Sequence, residues 1–206
     1  MKATHYFSGL VIAIFVGVHI LNHLTILHSE SMHISFMQAA RKIYRNPIIE
    51  SLLLLAVLVQ IGTGLALAFQ KWGKITTTYD WIHVLSGLYM ALFLIIHVSA
   101  VMIGRYRLQV DTNLWYGAGV MNMWPHKLFF IPYYTLALIS FFFHVACIHR
   151  LKAPGIFGQL AAERHAIIIM ILGTIVTAAI IIRMSTLRLP DEFIKATTQS
   201  ESTRRD

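Results

Sequence analysis

A single cysteine, Cys147, stands among 206 residues, so the chain can build neither a disulfide framework nor a thiolate metal cluster of its own. An iron–sulfur centre would have to come from a partner. Charge is scarce as well: 13% of residues are Asp, Glu, Lys or Arg, about half the share of a soluble globular domain. No charged side chain falls near the middle of an apolar run, and Glu50 and Arg183 lie toward the ends of theirs. These shortages place the chain in a bilayer. Acidic residues are the rarest, 9 against 17 basic, which leaves a net charge of +8. That excess is not a nucleic-acid signature, because the basic residues sit in loops and at run ends, where Lys and Arg meet lipid headgroups.

What is abundant is apolar, 57% of the chain. Five runs, at roughly 6–24, 47–69, 81–104, 127–149 and 165–187, are long enough to cross about 30 Å of hydrocarbon. The first carries two histidines and one preceding Lys and lacks a small-residue cleavage site, so it is expected to stay as a helix of the mature protein. Between the first two runs, Ser31 is expected to cap a short interfacial helix. Phe36, Met37, Ala40, Ile43 and Tyr44 would form its apolar face, with Arg41, Lys42 and Arg45 opposite, and Asn46-Pro47 would stop it. Residues 70–80 read as a polar turn and "KAPGIFG" at 152–158 as a break. Trp115, Tyr116 and Trp124 read as an aromatic belt. The last residues, "TTQSESTRRD", read as a mobile tail.

Charge orients the spans weakly. The side of the N-terminus holds Lys2, Lys71, Lys74, Arg150, Lys152 and Arg164. The other side holds the remaining 11 of 17 on about twice as many residues, a slight lean toward an external N-terminus.

Histidine is the exception to the apolar interiors: His19, His97 and His144 fall well inside their runs, where an ionisable side chain is a functional candidate. Two stretches repeat one pattern, "HYFSGLVIAIFVGVH" from His5 and "HVLSGLYMALFLIIH" from His83. In each the histidines are 14 residues apart, about 21 Å of helix and close to whole turns, so they share a face. The first and third runs cross in the same direction. His19 and His97 therefore lie at one depth, and His5 and His83 at another. Two neutral imidazoles facing across a bundle are the axial pair that a b-type haem requires. Ser8 and Ser86 lie three turns before His19 and His97, and Gly9 and Gly87 bare the backbone for a flat macrocycle. A lone intramembrane histidine also serves as an interhelical hydrogen-bond partner; the matched pair favours haem. His23, one turn from His19, reads as its polar neighbour or as a residue at the helix exit. His28, His33, His126, His149 and His165 read as solvated.

"SGLVIAIFVGVHILNH", "YRNPIIESLLLLAVLVQIGTGLALAF", "SGLYMALFLIIHVSA" and "FFFHVACIH" together resemble the first four helices of the single-chain, five-helix cytochrome b subunit of succinate dehydrogenases and fumarate reductases. The resemblance covers about residues 5–150. It implies ligand positions at His19, Gln60, His97 and His144, with Gln60 standing where the family has His. His19 and His97 would hold one haem b. Without a histidine at Gln60 the second haem would be absent, or His144 would take another partner such as His83, or the iron there would be five-coordinate; one haem is the expectation. Gln60 would instead hydrogen-bond a quinone, a water chain or a neighbouring helix.

The resemblance further implies a cytoplasmic N-terminus, peripheral flavoprotein and iron–sulfur partners, and membrane quinone as electron donor or acceptor, in a bacterial inner membrane or equivalent energy-transducing membrane. The quinone would sit near Tyr44 and Arg45 or near Ser86. Homo-oligomeric assembly of the whole complex is a further expectation. The expected fold is all-α, an integral membrane protein with five transmembrane helices and a haem-binding four-helix bundle over 1–187, then a polar tail, 188–206. Two other readings stay open: the cytochrome b subunit of a hydrogenase or formate dehydrogenase, and a haem-free anchor or proton conductor.

Overall fold

The computed structural model describes residues 1–194, which fold into helices joined by short connections. In order they are α1 (Lys2–Thr25), α2 (Glu30–Tyr44), α3 (Pro47–Trp72), α4 (Thr78–Met102), which runs on into a π-helical turn at Ile103–Arg107, α5 (Leu114–Asn122), α6 (Lys127–Lys152), α7 (Pro154–Phe157) and α8 (Gln159–Met184). Five of them, α1, α3, α4, α6 and α8, are long and apolar enough to cross a membrane. The protein is an all-α, multi-pass membrane protein.

Local chemistry sets the boundaries. Asn46 Oδ1 accepts from the Ile48 amide at 3.0 Å and Pro47 occupies the first turn of α3, where its missing N–H costs nothing. Thr77 caps α4 through the Asp80 amide at 3.1 Å, and Asn113 caps α5 through the Trp115 amide at 2.9 Å. Gly158, with φ of 81°, makes the left-handed turn into α8 that a side chain would disfavour. α8 begins at Gln159, earlier than the expected 165, and its Glu163 accepts from Arg150 of α6 at 2.9 Å.

The short helix expected between the first two spans forms as α2, displaced from expectation. Its cap is Ser29, not Ser31: the Ser29 Oγ accepts from the Met32 amide at 3.1 Å. Its inward stripe runs through His33 and Met37, both buried, to Arg41 and Tyr44, while Ile43 is exposed. The stripe follows the i, i+4 spacing of His33, Met37 and Arg41, so Arg41 and Arg45 turn toward the protein instead of away from it.

The antiparallel spans α3 and α4 are stitched at both ends. Arg105 of the π-helical turn pairs with Glu50 at the start of α3, and Lys71 at its end pairs with Asp80 of α4. α1 packs on α3, α3 on α4, α4 on α6, and α6 most extensively on α8. α8 returns to α1 at the α2 end of the bundle, where Ile20, Ile26, Ala118, Ile180 and Met184 form the buried core with Leu187. The chain beyond 187 starts by folding back, since Phe193 lies against Gly119 of α5. The stretch "TTQSESTRRD" lies outside the described residues.

Candidate functional site

Two polar layers cross the bundle. The first joins α1 to α4: the His19 and His97 rings have centroids 6.4 Å apart at an interplanar angle of 61°. Each ring lies nearly parallel to the phenylalanine one turn before it, Phe15 on His19 at 6.0 Å and Phe93 on His97 at 4.9 Å. Tyr134 of α6 stands edge-on to His97 at 6.4 Å. On the other side of His19, the Nε2 atoms of His19 and His23 are 3.2 Å apart.

Behind that pair lies a group that the sequence reading placed wrongly. His33 was expected to be solvated, yet it is 2% exposed. α2 folds back over the end of α1, which brings His33 Nε2 to 3.4 Å from Asn22 Nδ2 and its ring to 5.4 Å from that of His23. Asn22 Oδ1, His23 Nδ1 and His33 Nδ1 are buried without a hydrogen-bond partner. A cavity of about 10 Å³ beside them, lined in part by His19, Asn22 and Tyr44, is about the size of one water. Burial, first, and then the neighbouring His19 and Arg41 hold the His33 imidazole down at about 4. Asn22 went unnoticed in the sequence. The one available signal was the spacing of His33 to Met37 along α2.

The second layer lies one repeat away and is written twice with a difference. In the α1–α3 half, Thr63 donates its hydroxyl to Val59 O at 2.6 Å, so its oxygen is left to accept from His5 Nδ1–H at 3.0 Å. His5 Nε2 then accepts from the Gln60 amide nitrogen at 3.2 Å, and Gln60 Oε1 accepts from Ser8 at 2.6 Å. Both ends of Gln60 are committed. In the α4–α6 half, His144 Nδ1 lies 3.1 Å from His83 O and 3.2 Å from Ser86 Oγ. Donation to that carbonyl fixes the proton on Nδ1 and leaves the Nε2 lone pair as the ring's donor atom. The His83 and His144 rings are 4.5 Å apart.

Gly9 and Gly87 were expected to bare the backbone for a macrocycle; the backbone they bare is covered by the facing polar side chain. A Cβ on Gly9 would stand 3.1 Å from Gln60 Nε2, and one on Gly87 would stand 3.1 Å from His144 Cε1. His149 and His165, read as solvated, bond each other at 3.3 Å across α6 and α8. His28 and His126 are exposed as expected.

The first layer suits a haem by its donor set. His19 and His97 would hold it: two imidazoles sharing one iron would need centroids roughly 6 Å apart, from two metal–nitrogen bonds of about 2 Å and the ring radii, and these stand at 6.4 Å. Ligation through His19 Nε2 would exchange its contact with His23 for a bond to iron. The His83–His144 spacing is shorter than such a pair requires. Among the described residues, no three His, Cys, Asp or Glu side chains converge as ligands of a free ion would. The chain matches no protein-family model, no curated protein and no solved structure.

Proposed function

We propose that this chain is a haem b-binding membrane anchor, of the kind found in succinate dehydrogenases and fumarate reductases, that passes electrons between peripheral flavoprotein and iron–sulfur subunits and membrane quinone. The observation that carries the reading is the meeting of His19 and His97, from two helices that run in the same direction, at a spacing suited to one iron. Haem b bound there supplies a one-electron carrier. The chain's own residues do the rest. Phe15 and Phe93 hold the imidazoles in place and the apolar spans exclude water. The membrane in question is an energy-transducing one, where quinone and respiratory partners occur.

The purified protein should give a low-spin b-type signal in a dithionite-reduced minus oxidised spectrum, and His19→Ala and His97→Ala should each abolish it. An unchanged spectrum in both variants would remove the assignment. A hydrogenase or formate dehydrogenase type partner would leave this result untouched and would be recognised by the soluble subunits that copurify. One observation favours a second reading, a haem-free proton conductor. His19 Nε2 faces His23 Nε2 at 3.2 Å, as linked imidazoles of a relay do. A protein without any b-type absorbance, reconstituted in vesicles and permeable to protons, would decide for it.

A further inference from the structure

At the α2 end of the bundle, three guanidinium groups gather against two carboxylates. Arg105 is fully engaged with Glu50 and stacks on Tyr106, 5.0 Å from its ring centre. Arg41 Nη1 pairs with Asp111 Oδ1 at 2.8 Å. Arg45 is left over. Its Nη2 is 4.0 Å from the same Asp111 oxygen and donates to the Thr112 hydroxyl at 3.2 Å. The Nε atoms of Arg41 and Arg45 are buried with no acceptor, so one positive charge and two N–H groups are unmatched. Burial, and then the proximity of Arg41 and Arg105, push the Arg45 guanidinium below its ordinary value, the electrostatic strain that an anion would relieve. Planar N–H forks suit phosphate oxygens in particular.

The surroundings say what kind of molecule carries that phosphate. Arg45 immediately precedes Asn46-Pro47, where α3 enters the apolar span. From that point Ile48, Leu52 and Leu55 follow at i, i+4 and i+7, all on one face of α3 and 72%, 58% and 56% exposed. A basic site at the end of a span, continued by an apolar lane along the helix, has the polarity of a phospholipid. The unmatched charge selects an acidic headgroup, since a zwitterionic one brings its own cation.

We propose that Arg45, with Arg41 and Thr112, forms a headgroup site for an acidic phospholipid whose acyl chain lies along Ile48, Leu52 and Leu55. The site is independent of the haem reading and stands whether or not that reading survives. Arg45→Gln is the informative change, because it strands no carboxylate: Asp111 keeps Arg41. Native mass spectrometry of the intact protein in detergent, titrated with phosphatidylglycerol and with phosphatidylcholine of the same acyl chains, tests it. Phosphatidylglycerol should bind the unaltered protein about five- to tenfold more tightly than Arg45→Gln, and phosphatidylcholine should bind both alike. Arg45→Lys, which keeps the charge but not the fork, should fall between them. If Arg45→Gln does not fold, Thr112→Val carries the same comparison. Equal phosphatidylglycerol binding by variant and parent overturns the site. So does displacement of that lipid by millimolar inorganic phosphate, which would mark a free-phosphate site that makes no use of the apolar lane.

Discussion

The phenylalanine of the repeated pattern explains itself at the level of single side chains. Phe15 and Phe93 each precede a mid-span histidine by four residues, and each lies within 12° of parallel to its ring. The i, i+4 spacing puts them on one face, so the repeat encodes the orientation of an imidazole as well as its presence. His33 illustrates the opposite case. Its buried imidazole is held neutral at about 4, below the ordinary histidine value of about 6.5. A lowered folded-state value means that the neutral form is favoured by folding. The stabilisation is complete above about pH 6.5 and drains away as the pH falls through about 4. The groups that face it are His19, Asn22 and His23 of α1 and Arg41 of its own helix. Amide hydrogen exchange along α2, corrected for intrinsic rates, should therefore be faster at pH 4 than at pH 7, and His33→Gln should flatten the difference. Equal protection at both pH values in the unaltered protein would refute this account of α2 docking. The sequence carried only the spacing of His33 to Met37 along the helix; its burial is a tertiary event.

Among the helices, α6 and α8 pack most extensively. A Cβ added at Gly173 would collide with the Phe142 ring, so this glycine exists for contact and not for flexibility. Gly173→Ala should destabilise the packed pair by about 1–3 kcal/mol, the usual cost of overfilling a dense interface, seen as a lower thermal midpoint in detergent with helical content intact below it. A midpoint equal to that of the parent would mean that Phe142 swings aside freely. The spans themselves were legible, because composition over 20 residues decides membrane insertion and no tertiary detail competes with it. The short helices were less so. For α2, the sequence carried the helix but not its inward face: hydrophobic patterning put Ile43 inside and Arg41 outside, whereas Asp111, distant in the chain, draws Arg41 inward at 2.8 Å.

Seen whole, the bundle is a twofold variation on one helix pair. Ser8-Gly9 of α1 receives Gln60 of α3, and Ser86-Gly87 of α4 receives His144 of α6. The duplication of α1 in α4 could be read from the sequence. The partnership of Gln60 with His5 could not, since it depends on the register between two apolar helices. It commits these two side chains to each other, and the His83 and His144 rings stand 4.5 Å apart. A pyridine haemochrome assay set against protein mass should accordingly give haem nearer one than two per chain; a value of two would mean that His144 gains an axial partner through rearrangement. The two layers also have an electrical meaning. They are 14 residues apart along α1 and along α4, about 21 Å of a hydrocarbon thickness of roughly 30 Å. A unit charge moved from one layer to the other crosses about two-thirds of the membrane field. A potential of 100 mV would then bias that passage by about 1.6 kcal/mol, enough to make its direction sensitive to the voltage across the bilayer.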